Sequence, residues 1–204
     1  AVLRLSATHP VSLLFPMIGG VEEFGAARAA VESAKEQLRQ EGQPFNPRIP
    51  VGAMIETPSA AVTARWIARE ADFLSIGSND LVQYLLTTDR TSMEMAAYYE
   101  PLHPAVIQSL KSVFDAAATE GKAVSLCGEI AGNPAYTALL LGLGARCLSV
   151  APGELLEIKR VVRSVDLGGA ERLARQALAA GTIKEIKACL TEAANATLAK
   201  TRGP

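Results

Sequence analysis

Two carboxylates, an amide, a guanidinium and a thiol stand in this chain where they could act on one ligand: Glu56, Asp80, Asn79, Arg90 and Cys127. Glu56 closes the apolar run Val51-Gly-Ala-Met-Ile55 and is followed at once by Thr57-Pro58-Ser59, a helix-start signal. Asp80 follows a second apolar run, Phe73-Leu-Ser-Ile76, then the turn Gly77-Ser78 and Asn79. A short continuous apolar run between turn residues reads as a strand covered on both faces of a parallel sheet. Ligands of such sheets bind at the carboxyl ends of the strands. Glu56 and Asp80 then share one end of neighbouring strands. That oxygen-rich pair suits Mg²⁺, which takes one or two carboxylates and completes its shell with water and substrate phosphate. The pattern leaves a plainer reading open, an acidic strand end in water or, for Asp80, a helix cap. Arg90 lies in a loop; a guanidinium can grip phosphate or carboxylate oxygens in pairs, yet a lone loop Arg is commonly a solvated charge. Cys127 ends the run Ala123-Val-Ser-Leu126 ahead of Gly128-Glu129. On these residues alone it reads as a small core hydrophobe, as do Cys147 and Cys189.

The elements that must position these groups alternate. Strands are expected at 11–17, 51–55, 73–76, 123–126 and 147–150. Between and after them, helices are expected at 21–41, 59–70, 80–87, 105–120, 134–141 and 152–164. The segment 42–50 is a Pro-containing connection and 89–104 a long loop of functional character. Alternation of short apolar strands with helices is the pattern of a parallel α/β fold. The five strands fall short of the eight that close a TIM-type barrel. After the turn Asp166-Leu-Gly-Gly169, residues 170–180 and 183–198 read as two amphipathic helices. The division expected is therefore a partial barrel at 1–165 and a C-terminal helical extension at 166–204.

Bulk properties narrow the classes. Hydrophobic residues make up 49% of the 204 and mean hydropathy is +0.19, which excludes a disordered chain. Aromatics are only 5%, so the core must be aliphatic. A net charge of −1 gives no global reason to bind nucleic acid or an anionic membrane, so any anion site is local. Charged residues interrupt every apolar stretch before it reaches membrane-spanning length, and the opening Ala-Val-Leu-Arg-Leu is not a signal peptide. Without an initiator Met the chain reads as a fragment or a processed chain. Three cysteines without metal-type spacing point to a reducing cytoplasm rather than a disulfide framework.

Taken in order, Phe15-Pro-Met-Ile18, the Val51–Ala61 and Phe73–Leu81 segments, Asp89-Arg90, His103-Pro-Ala-Val106 and Leu126-Cys-Gly-Glu-Ile-Ala-Gly132 resemble the phosphoenolpyruvate-binding barrel of the Enzyme I family. These are the phosphoenolpyruvate–protein phosphotransferases of the bacterial sugar and nitrogen phosphotransferase systems. The resemblance runs from about Leu13 to at least Val165, and Arg160-Val-Val-Arg163 onward looks closer to the nitrogen branch. It implies a (β/α)₈ barrel entered at its fourth strand, with the first three absent. It implies Glu56 and Asp80 as Mg²⁺ ligands, Arg90 and Asn79 as substrate ligands, and Cys127 as the acid that protonates C3 of enolpyruvate. Glu129 would orient Cys127 or lie behind it. The implied partners are phosphoenolpyruvate or pyruvate, a phosphocarrier protein reached through other domains, and a second copy of the chain. Nucleic acid and membrane are not among them.

The chain departs from the family pattern at two places. Ser12 stands where the sugar branch has Arg, and Thr91-Ser92 where Gly-Asn is usual. Neither His9 nor His103 has the Gly-rich Thr-Ser-His setting of the family's phosphorylated histidine, so His103 is read as fixing the loop before a helix, and the chain by itself is expected to transfer no phosphate. Three other functions fit parts of the pattern. Pyruvate, phosphate dikinase and phosphoenolpyruvate synthase have similar motifs, though His103-Pro-Ala-Val106 favours Enzyme I. A metal-dependent aldolase would use Glu56 and Asp80 but has no need of Cys127. A non-catalytic dimerisation or regulatory module would bind metabolite without phosphate transfer.

Overall fold

The computed structural model describes residues 1–89, 92 and 94–201. The chain runs α1 (Val2–Leu5), β1 (Leu13–Phe15), α2 (Val21–Gln40), β2 (Val51–Ile55), α3 (Pro58–Val62), α4 (Ala64–Glu70), β3 (Phe73–Gly77) and α5 (Ser78–Leu85). It continues through α6 (Pro104–Thr119), β4 (Ala123–Cys127), α7 (Glu129–Gly132), α8 (Pro134–Leu143), α9 (Leu155–Ser164), α10 (Leu167–Ala179) and α11 (Ile183–Thr201). The strands form one parallel sheet in sequence order, β1-β2-β3-β4. Each crosses to the next through helix, and the result is part of a (β/α) barrel wall, as the alternation implied.

The apolar runs are strands because both their faces are covered. Ala53, Ile55, Leu74, Ile76 and Leu126 are all at most 1% exposed. Helices α3, α6 and α8 start where the sequence supplies both a cap and a proline that needs no donor. Thr57 accepts from the Ala60 N–H ahead of Pro58, His103 from the Ala105 N–H ahead of Pro104, and Asn133 from the Ala135 N–H ahead of Pro134. His103 thus fixes a loop-to-helix junction through Nδ1, 3.1 Å from Ala105 N.

Register sets the height of everything at the rim. Ile55 pairs with Ile76 across β2 and β3, and Gly77 pairs with Cys127 across β3 and β4. Glu56, Gly77 and Cys127 therefore emerge side by side at the carboxyl end of the sheet.

Three expectations are corrected. Residues 147–150 make only one bridge, Leu126 to Leu148, closed by Leu126 N–H to Cys147 O and Ser149 N–H to Leu126 O. The turn that starts at Ala151-Pro152-Gly153 cuts the pairing short, because proline cannot extend a ladder. Cys147 is accordingly exposed rather than a core thiol, whereas Cys189 packs half-buried against the core. The expected single helix over 59–70 breaks at Thr63, whose hydroxyl bonds back to Ser59 O at 2.7 Å.

Beyond residue 165 the core continues. Leu173, Ala174 and Ala177 of α10 and Ile186 of α11 belong to the same buried cluster as the strands. Contact with α8 is close at Gly142, where an added Cβ would lie 2.0 Å from Ala170 O and 3.0 Å from Ala174 Cβ. Gly142→Ala adds helix propensity of about 1 kcal/mol, but the backbone contact must open by more than an ordinary relaxation allows. Overpacking costs about 1–3 kcal/mol, so the substitution is expected to destabilise on balance. The midpoint of urea unfolding checks the sign; a rise would mean that α8 and α10 part freely.

Candidate active site at the carboxyl ends of the strands

Glu56 is 3% exposed, an unusual position for a carboxylate. Its Oε1 accepts the Met17 N–H at 2.7 Å, and the next residue, Thr57, donates its hydroxyl to Ile18 O at 2.9 Å. Together they hold the turn after β1, where Met17 takes a left-handed φ of 55° that a side chain tolerates poorly. The other oxygen, Oε2, occupies space that Gly77 leaves open: a Cβ on Gly77 would lie 2.4 Å from it and 2.9 Å from Glu56 Cβ. Glycine stands at 77 because the Glu56 side chain lies across it.

Asp80, in the first turn of α5, approaches Glu56 closely enough for hydrogen-bond contact and like-charge repulsion. Burial pushes the Glu56 carboxyl above the ordinary carboxylate range; the Met17 N–H opposes this and Asp80 adds to it. A raised carboxyl contributes stability that is complete below its unfolded value of 4.5 and is lost as pH rises through its folded value. The cation-free chain is therefore expected to lose stability across that window. Glu56→Gln should flatten the dependence. Unfolding midpoints from about pH 4 to 8 in chelator check it; parallel curves for the two chains would count against the buried acid.

This pair has the chemistry of a hard-cation site. Two carboxylates come together, and the one backbone donor described above goes to Glu56, so negative charge is left over. A divalent cation would compensate that charge, and Mg²⁺ is content with two protein carboxylates. Among the described residues no group of three or more His, Cys, Asp or Glu comes together, as the usual zinc site requires.

Across Gly77 lies Cys127, half-buried, its thiol directed at Ile76 O at 3.3 Å. Asn79 does not stand apart as a substrate donor. Its Oδ1 accepts the Glu129 N–H at 2.9 Å, which leaves the NH₂ end as its donor. The Glu129 side chain is exposed. Arg90 lies outside the described residues. The structure thus brings Glu56, Asp80, Asn79 and Cys127 to one rim. It adds three contributors that the pattern did not single out: the Met17 N–H, the Thr57 hydroxyl and Ser78. Ser78 is fully buried and donates to Cys127 O at 2.6 Å. A small polar residue between a strand and its helix was the only signal for it.

The comparisons with known proteins identify the family. A family profile described as "PEP-utilising enzyme, PEP-binding domain" matches residues 1–167. Among curated proteins, the chain is 44% identical over 192 residues to a phosphoenolpyruvate-protein phosphotransferase of Haemophilus influenzae, covering 94% of this chain and 33% of that protein. It is 41% identical over 194 residues to a protein of the same name from Cupriavidus necator, covering 95% and 33%. The chain thus spans about a third of the length of these relatives. Among solved structures, a citrate lyase from Burkholderia xenovorans LB400 superposes with a TM-score of 0.57 at 18% identity, covering 99% of this chain and 68% of that one, a likeness of fold. A profile match over residues 1–167, on a sheet whose rim carries Glu56, Asp80 and Cys127, places this chain in the family of PEP-binding domains of PEP-utilising enzymes.

Proposed function

We propose that this chain is the substrate-binding part of a phosphoenolpyruvate–protein phosphotransferase. It takes phosphoenolpyruvate with Mg²⁺ at the rim and returns pyruvate. The phosphoryl group goes to a histidine on another domain and then to a small phosphocarrier protein. The observation that carries this reading is the buried Glu56, beside Asp80 and across Gly77 from Cys127.

Glu56 and Asp80 would hold Mg²⁺, whose charge, when bound, stabilises phosphate and enolate oxygens. Arg90 grips substrate oxygens in pairs, and the amide of Asn79 donates to them. The scissile bond joins phosphorus to the enol oxygen. As it breaks, the phosphoryl group passes to the acceptor nitrogen and the electron pair stays with enolpyruvate. The Cys127 thiol then gives its proton to C3, forming a methyl group and leaving a thiolate that water reprotonates. This is general acid work, and the remaining catalysis is positioning and charge stabilisation. We take residues 1–165 as the barrel part, 166–204 as its helical extension, and the whole as a cytoplasmic homodimer. Three unpaired cysteines and the lack, among the described residues, of a helix long and apolar enough to cross a membrane support that location.

Calorimetric titration with phosphoenolpyruvate tests the reading, in Mg²⁺ and in chelator, on this chain and on the longer protein that contains it. Saturable binding is expected only with the cation. Neither His9 nor His103 has the Gly-rich Thr-Ser-His setting of the family's phosphorylated histidine, so labelled phosphate should reach a carrier only with the longer protein. Label on the carrier with this chain as sole enzyme, or cation-independent binding, would overturn it.

A further inference from the structure

The β3–β4 ladder ends at the pair Gly77 and Cys127. Past that pair the backbone groups of the two strands need other partners. Ser78 and Asn79, consecutive at the start of α5, supply them. The Ser78 hydroxyl donates to Cys127 O at 2.6 Å, and Asn79 Oδ1 accepts from Glu129 N–H at 2.9 Å. The residue between those two anchors, Gly128, has a φ of 94°, a conformation that disfavours any side chain. A Cβ there would lie 2.4 Å from Ser78 Oγ and 2.6 Å from Asn79 Oδ1. The turn that carries the thiol is therefore held on both sides of a positive-φ glycine by two adjacent side chains of the neighbouring strand's turn. Ser78 is 0% exposed, so the hydroxyl that donates to Cys127 O is shielded from bulk water.

We propose that Ser78 is a positioning residue for the Cys127 thiol. Its hydroxyl fixes the Cys127 carbonyl, hence the peptide plane between Cys127 and Gly128, and hence the direction in which the Cys127 Cα–Cβ bond carries sulfur toward the rim. Asn79 fixes the far end of the same turn. The catalytic half of this inference rests on the reading of Cys127 as the proton donor; the structural half does not.

Two measurements separate the halves. The first is the alkylation rate of Cys127 by iodoacetamide in a chain carrying Cys147→Ser and Cys189→Ala, with and without Ser78→Ala. Loss of one buried hydrogen bond should change the rate about tenfold, and Ser78→Thr should restore it. The second is steady-state turnover of the longer protein. Ser78→Ala should lower kcat about tenfold, with KM for phosphoenolpyruvate and the Mg²⁺ requirement held within about twofold; Ser78→Thr should recover kcat. Should the alanine chain not fold, Ser78→Thr and Ser78→Val, equal in bulk and differing in the hydroxyl, give the same comparison. An unchanged alkylation rate overturns the proposal. So does a loss of kcat that comes with a higher KM and a lower thermal stability and that threonine does not rescue. A changed, rescued alkylation rate with unchanged kcat keeps Ser78 as the holder of the thiol and removes Cys127 from the proposed reaction.

Discussion

Replacing Glu56 or Asp80 by alanine in the longer protein is expected to weaken Mg²⁺-dependent phosphoenolpyruvate binding by about 10²–10³-fold. Removing one member of a buried charged set leaves the rest uncompensated, at a cost of about 3–5 kcal/mol. The two variants should differ in side effects. Glu56→Ala also frees the Met17 N–H, so the left-handed turn after β1 loses its hold and the rim opens toward solvent. Asp80→Ala removes a like charge, so the Glu56 carboxyl, still raised by burial, comes down only by the smaller share that Asp80 adds, while the fold stays intact. Calorimetric titration with Mg²⁺ varied at saturating substrate reads both. An unaltered cation requirement in both variants would remove these residues as ligands.

Cys127→Ala should leave cation binding and the unfolding midpoint nearly untouched, since the half-buried thiol gives up only a weak contact to Ile76 O. Turnover is a different matter. A positioned general acid contributes about 10²–10⁴-fold, so overall rate should fall by at least the lower figure. In the proposed mechanism phosphoryl transfer to the histidine can persist in part, because the P–O bond breaks before C3 is protonated. Pyruvate formed in deuterated water from stereospecifically labelled substrate supplies the sharper reading. The intact enzyme should deliver hydrogen to one face and the variant to both. Retained facial preference together with retained rate would reduce Cys127 to a packing residue. Cys147, exposed on its single-bridge segment, serves as the control, and its replacement should cost nothing measurable.

The central strands and the helix starts were legible because their causes are local. Val51–Ile55 and Phe73–Ile76 are apolar without interruption, and proline beside a capping residue marks where helices begin. The carboxylates could be placed because residues that follow neighbouring parallel strands share a rim whatever the helices do. Legibility failed where partners were remote. Residues 147–150 have strand composition, yet only Leu148 finds a bridge, because the turn that follows and the few groups left at Leu126 decide its length. The break at Thr63 depends on one hydroxyl choosing a backbone carbonyl. Ser78 looked like turn filler, since its target, Cys127 O, is 49 residues away in sequence and meets it only through the register of β3 and β4.

The turns at the rim are tied sideways. Glu56 and Thr57 hold Met17 and Ile18, and Ser78 and Asn79 hold Cys127 and Glu129. Each tie joins the end of one strand to the end of the next, so the rim behaves as a masonry arch in which every block rests on its neighbours. Lengthening a single turn by one residue would lift the block beside it out of place. The rim should therefore tolerate same-sized exchanges, or changes made in adjacent turns together, while loops that take no part in the ties are where added length should cost least.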